Sequence, residues 1–128
     1  MRNCYSDAVC HRLVGTASDI QEALHYPDGT WPTWTLATKI MLGVFGNVPA
    51  FDSRVVAGLR KARLTGRFGP RALRDIGRFY EEHRQTIERH RQYTLDFADG
   101  HPTRRPYTRA KVIDEICYIE GQGGVSVP

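Results

Sequence analysis

One carboxylate in this chain stands where chemistry could be done. Asp52 closes the stretch WTLATKIMLGVFGNVPAFDSRV, Trp34 to Val55, and sits at the mouth of the helix that should follow. A carboxylate so placed can stabilise a developing positive charge. It can equally do no more than accept the free N–H groups of a first helical turn. Trp31, Trp34, Phe45 and Phe51 are near it in sequence and could line an aromatic pocket. Lys39 interrupts the apolar run. It can carry its amine to the surface, pair with an acid such as Asp52, or act as an amine of shifted pKa. His83 and His90, seven residues apart, could join Tyr80 and Glu82 in an acid–base cluster, with His83 half-buried and His90 exposed. Arg67, Arg71, Arg104 and Arg105 flank loops and could gather as an anion site, since guanidinium groups bind phosphate and carboxylate well.

Metal and disulfide chemistry find little support. Cys4 and Cys10 beside His11 make an incomplete ligand set, with no CxxC or HxxxH pair to finish it. The three cysteines, with Cys117, are an odd number and read as buried, reduced thiols. No metal and no cofactor are expected.

The net charge of +4 is unevenly spread. Residues 1–53 carry −2 and residues 92–128 carry −1, whereas residues 54–91 hold eleven Arg or Lys against four acids, +7. A basic middle third suggests a polyanion or an acidic protein as partner. Solvated helix faces would give the same count. Glu81, Glu82 and Glu88 offset part of the charge.

These residues need elements to hold them. A length of 128 residues indicates one domain, able to bury roughly two-thirds of its unfolded surface. No apolar run reaches the ~20 residues of a membrane span, and Asp7 and His11 break any secretory leader, so a cytoplasmic location is expected. Helical spacing predicts a short helix from Asp7 to Val14 ended by Gly15. A capping box, Ser18 with Gln21, opens a second one to His25. Thr33 or Thr35 caps a buried central helix to Phe45, ended by Gly46-Asn47. Asp52 or Ser53 caps a helix to about Leu64, with Val55, Val56, Leu59 and Ala62 inward. Pro70 opens the longest helix, Arg71 to Gln92. Residues 99–106 read as loop or extended chain, and strand signals are confined to short segments such as Tyr93 to Phe97. Thr108 caps a last helix to Glu120, with Val112, Ile113, Ile116, Cys117 and Ile119 buried. The expectation is therefore a single compact all-α domain, residues 1–120, of five or six helices around a buried central helix, with a flexible Gly-rich tail, 121–128.

Residues 29–56 invite one family comparison. Trp34-Thr35 opens a helix, Gly46 and Pro49-Ala50 follow it, and Asp52 comes eighteen residues after Trp34. That order resembles the helix-hairpin-helix DNA glycosylase superfamily. The resemblance implies a hairpin that holds a DNA phosphate at a helix start, and a catalytic role for Asp52 beside the breaking glycosidic bond. Two positions depart from the pattern. The hairpin is Asp28-Gly29-Thr30-Trp31-Pro32, without a Gly-x-Gly, and the nucleophilic lysine of bifunctional members is replaced by Trp34.

The leading expectation is nucleic-acid binding. Arg54, Arg60, Lys61, Arg63 and Arg67 would meet phosphate, with Trp34 near the strand. The alternatives are a protein-interaction module of a regulatory or defence system, and a glycosylase-like enzyme using Asp52. No membrane partner is expected, and the composition leaves the oligomeric state open.

Overall fold

The structure is a computed structural model that describes residues 5–122. Its element order is α1 (Asp7–Ala23), α2 (Trp34–Phe45), α3 (Ser53–Lys61), α4 (Pro70–Glu82), α5 (Arg84–Arg89), β1 (Tyr93–Leu95), β2 (Pro102–Pro106) and α6 (Arg109–Gly121). The fold is mainly helical. The all-α expectation is corrected by the antiparallel β1–β2 ribbon. Among the described residues, no helix is long and apolar enough to cross a membrane.

The caps follow the sequence closely. Ser6, Thr33, Asp52 and Thr108 each accept an N–H of the first turn of α1, α2, α3 and α6. Pro70 opens α4, where a missing N–H does no harm. Gly46 closes α2 in the left-handed conformation, φ 61°. A Cβ there would also meet Thr108 Cγ2 at 2.8 Å.

Several expectations are corrected. The two helices expected before residue 26 are one, because α1 runs through Gly15 and Ser18. A single exposed glycine costs a helix only about 1 kcal/mol, and burial of Cys10 and Ala17 holds both halves down. Gln21 donates to the Pro32 carbonyl at 2.7 Å rather than reaching back to Ser18. α3 stops at Lys61, leaving Ala62 exposed. The long helix breaks at His83 into α4 and α5. Nothing in the local sequence dictates that break. It leaves His83 exposed, with its ring 4.5 Å from Phe79, and places His90 beyond the end of α5. Ile119 is also exposed, and Gly121 lies within α6. Residues 123–128 of the expected tail, and Cys4, lie outside the described residues.

The largest correction concerns the central helix. α2 buries only Ala37, Thr38 and Met41. Val44 and Phe45 are 68% and 60% exposed, and Leu36 is also on the surface. α2 is apolar on nearly every side, so its composition could not say which side faces inward. α4 is the better core helix, burying Ala72, Leu73, Ile76, Gly77 and Tyr80. Val48, Val55, Leu59, Ile113 and Cys117 complete the core.

α3 and α6 form the closest crossing. A Cβ at Gly58 would land on the Cys117 carbonyl, and one at Gly121 on the Arg54 carbonyl. Each backbone touches the other where a glycine permits it. This crossing fixes α3, and with it both ends of α3.

Candidate functional site

The passage singled out by sequence, residues 46–52, is an internal brace. Val48, Pro49, Ala50 and Phe51 are buried chain outside any helix or strand, so their polar groups need partners from elsewhere. The partners are side chains. Asp114 Oδ1 accepts the Ala50 N–H at 2.8 Å. Thr38 Oγ1 accepts the Phe51 N–H at 2.9 Å, and Thr35 Oγ1 donates to the Phe51 carbonyl at 2.7 Å. Tyr5 Oη donates to the Asn47 carbonyl at 2.7 Å. Burial raises the Asp114 pKa above the ordinary carboxylate value; the Ala50 N–H and Lys111 oppose this, and Asp52 and Glu115 add to it.

Asp52 belongs to the same brace. Its Oδ1 accepts the Val55 N–H at 2.8 Å, which is the geometry of a helix cap. Lys39 is exposed and makes no ion pair with Asp52 among the described residues. The aromatic residues are only partly gathered. Trp34, 37% exposed, stands 5.2 Å from Phe68, which meets Phe51 edge-on at 5.1 Å. Trp31 instead stacks on His25, 6.1 Å away, and Phe45 points to solvent.

The basic residues divide into two sets. Arg54 donates to Tyr118 Oη at 2.7 Å and lies over that ring, and Lys61 donates to the Glu120 carbonyl at 2.8 Å. Both lean on α6. Arg60, Arg63 and Arg67 are exposed and form no ion pair among the described residues. They fall within eight residues at the end of α3 and in the turn after it. Arg63 sits at the pivot with φ 61°, while the Leu64 N–H reaches back to the Leu59 carbonyl at 2.8 Å. That left-handed site usually takes glycine. An arginine there costs on the order of 1 kcal/mol.

The turn is tied to α4. Thr65 N and Oγ1 both donate to Asp75 Oδ2, at 3.0 and 2.5 Å, and Arg78 pairs with Oδ1 at 2.7 Å. Burial alone would raise the Asp75 pKa. The Thr65 bonds, with Arg78 and Arg71, more than offset it and hold the carboxyl below its usual value. Further along α4, Arg74 pairs with Asp7. Arg67 and Arg71 border this turn, whereas Arg104 and Arg105 lie on β2, so the four-arginine cluster expected from sequence is split between two elements.

A groove of about 280 Å³ lies between α3, α4 and α6, lined by Gly58, Lys61, Ala62, Phe79, Ile116, Cys117 and Glu120. Neither Asp52 nor Trp34 borders it. Burial pushes the Cys117 thiol up to about 12, with Asp114 and Glu120 adding to the effect, so it stays protonated and unreactive. Cys10 is likewise buried. No cluster of three or more potential metal ligands occurs among the described residues.

The β1–β2 arm was the feature least visible in sequence. Its root is fastened by a chain of polar contacts. Arg91 donates to the Tyr107 carbonyl at 2.5 Å and pairs with Glu88 at 3.0 Å. Glu88 also approaches Arg109, which donates to Tyr80 Oη at 2.8 Å. Beyond that root, Tyr93, Leu95 and Phe97 are exposed. Their period-two spacing ahead of Asp99-Gly100 was the available hairpin signal. Compared with protein-family models, curated proteins and solved structures, the chain matches none of them.

Proposed function

We propose that the protein binds nucleic acid through the C-terminal end of α3 and the turn after it. Arg60, Arg63 and Arg67 provide the phosphate contacts, Lys61 and Arg54 border them, and Trp34 lies beyond Phe68. The observation that carries this reading is that these three arginines lie within eight residues, are exposed and form no ion pair among the described residues; exposure without an ion pair is also true of Arg71 and Arg89. Arg74, Arg78, Arg84 and Arg91 each pair with a carboxylate instead. A left-handed arginine, on a turn fastened by Thr65 to Asp75, supports the same reading, because strain retained at a surface site often accompanies a function. Contacts of this kind act on phosphate and give affinity without sequence preference.

The test is fluorescence anisotropy with labelled DNA and RNA over a salt series. Wild type should bind, with log affinity falling linearly in log salt. Arg60→Glu/Arg63→Glu should bind weakly and with a shallower slope, by about 0.7 to 0.9 per phosphate contact removed. Absence of binding at low salt would reject the proposal.

The second reading is a protein-docking module. The exposed Leu36, Val44 and Phe45 of α2 favour it, since a contiguous apolar surface of a few hundred Å² marks an interaction site. It predicts that Val44→Glu alters association state and leaves nucleic-acid affinity unchanged. Sedimentation velocity of both proteins checks this.

A further inference from the structure

We infer that the β1–β2 arm is a base-stacking platform that makes the protein prefer single-stranded over double-stranded nucleic acid. The inference rests on the nucleic-acid reading above and names the class of ligand. Single-strand binders combine exposed rings, on which unpaired bases stack, with cations that follow the phosphates. In a duplex the base faces are already stacked on one another and out of reach.

The arm has both parts. Tyr93 and Leu95 share one face of β1, since alternate strand residues point the same way, and Phe97 stands in the turn at the tip. All three are exposed, Phe97 completely. The opposite face is closed by the Thr94–Thr103 hydroxyl pair at 2.6 Å. Tyr93 pairs with Pro106 and Leu95 with Pro102, so two steps on β1 face four on β2. The surplus forms a bulge on β2, within which Thr103 Oγ1 accepts the Arg105 N–H at 3.1 Å. Bulges re-aim side chains, and this one presents Arg104 and Arg105. Both are exposed, and neither forms an ion pair among the described residues.

The acids of the tip are engaged in the turn. Asp96 Oδ1 accepts the Ala98 N–H at 2.7 Å, and Asp99 Oδ1 accepts the His101 N–H at 2.9 Å. They keep phosphate away from the tip and direct it to the bulge, beside Tyr93 and Leu95. A peptide adding as a third strand is a poor occupant. Pro102 and Pro106 remove N–H donors from β2, and β1 is only three residues long. The unpaired arginines next to exposed rings fit a polyanion with π faces instead. The root contacts of Arg91, Glu88 and Arg109 hold the arm's base to the body while it is loaded.

The test compares a fluorescein-labelled oligothymidylate of about 20 nucleotides with a duplex of equal length. The proteins are wild type, Tyr93→Ser/Phe97→Ser, Arg104→Ala/Arg105→Ala and Arg60→Glu/Arg63→Glu. Wild type should bind the single strand several-fold tighter than the duplex. The aromatic double variant should lose about tenfold or more on the single strand, from the usual effect of one or two stacking losses, and less than twofold on the duplex. The bulge variant should flatten the single-strand salt slope. Equal losses on both ligands, or no single-strand loss, would overturn the inference. The nucleic-acid reading would survive if Arg60→Glu/Arg63→Glu still weakened binding. Wild type that binds neither ligand would end both. A change in sedimentation for the aromatic variant without a change in binding would assign the arm to protein contact and also overturn the inference. Photo-crosslinking of wild type to 4-thiothymidine oligomers gives a measurement independent of variant folding. Adducts are expected in the peptide spanning residues 92–105, and adducts confined to residues 54–78 would count against the arm.

Discussion

The two ends of α3, a helix of nine residues, are built in opposite ways. At the N-terminal end, Asp52, Asp114, Thr35 and Thr38 are all hydrogen-bonded to backbone, and the chain they hold is buried. At the C-terminal end, Arg60, Arg63 and Arg67 stand in solvent and form no ion pair among the described residues, and one of them takes a left-handed backbone. Satisfied polar groups around buried chain serve the fold. Charges that the fold leaves uncompensated are available to a ligand. Asp52, the expected catalyst, serves as the cap of α3, whereas Arg60 and Arg63, two of the expected phosphate contacts, stand exposed at its other end, with Arg67 just beyond.

The comparison breaks most completely in the middle of α3. Gly58→Val would push two methyl groups and a Cβ onto the Cys117 carbonyl. Backbone cannot step aside as a side chain can, so the cost should be 3 kcal/mol or more, above the usual range for overpacking. For a domain of this size that lowers the thermal midpoint by on the order of 10 °C. Calorimetry checks it, and both ends of α3 should fail together. A midpoint within a few degrees of wild type would mean that the α3–α6 crossing does not hold the two ends.

The next prediction separates acceptor from charge at Asp114. Asp114→Ala leaves the Ala50 N–H buried without a partner, a loss of about 1 to 3 kcal/mol. Asp114→Asn keeps an acceptor and should be milder. The pH dependence gives the sign. The folded pKa of Asp114 is raised above 3.8, so its protonation favours the native state below that value. This contribution fades as pH rises through the folded pKa. Asp75 is lowered from 3.8, so its contribution is complete above that value and is lost as pH falls through the folded pKa. Thermal midpoints between pH 3 and 7 should show Asp114→Asn and Asp75→Asn altering the acid limb in opposite directions. Changes of the same sign would contradict the environments assigned to the two carboxylates.

Asp52 gives a smaller effect. Asp52→Ala should cost about 1 kcal/mol, the ordinary value of a lost cap, and Asp52→Asn should cost less because Asn caps nearly as well. Neither should change nucleic-acid affinity. If Asp52→Asn kept stability but abolished a base-releasing activity, the glycosylase resemblance would regain its force.

How much of this was legible depends on whether a signal was local. Most caps and stops were, because a Thr, Asp or Gly acts on the backbone within four residues of itself; Gly15 and Ser18 gave the same signals but lie inside α1, where burial of Cys10 and Ala17 overrides them. Thr33, Gly46, Asp52, Pro70 and Thr108 all stand where that chemistry placed them. Burial was not. α2 is apolar around its circumference, so only its neighbours decide that Met41 faces inward and Val44 outward. The bond from Asp114 to Ala50 spans 64 residues, and no spacing rule reaches that far. The arm was hidden because three strand residues are too few for a clear alternation, and its bulge breaks the pattern on β2.

The smallest effect is also the most discriminating, because its two readouts should move in opposite directions. Arg63 holds φ 61°, a conformation that glycine adopts without a Cβ clash. Arg63→Gly relieves that clash but gives the unfolded chain more freedom, so the net gain should be at most about 1 kcal/mol. On the proposed nucleic-acid reading the same substitution removes one phosphate contact, so affinity should fall, with a salt slope shallower by just under one unit. Arg60→Gly is the control, because that residue lies within α3. It should lose affinity and also lose about 1 kcal/mol of helix stability. A thermal midpoint and a salt titration on each protein decide the matter. If Arg63→Gly gains stability and keeps full affinity, the strain at this turn has no link to binding. The unpaired arginines would then be solvated surface, and the two ends of α3 would differ in packing alone.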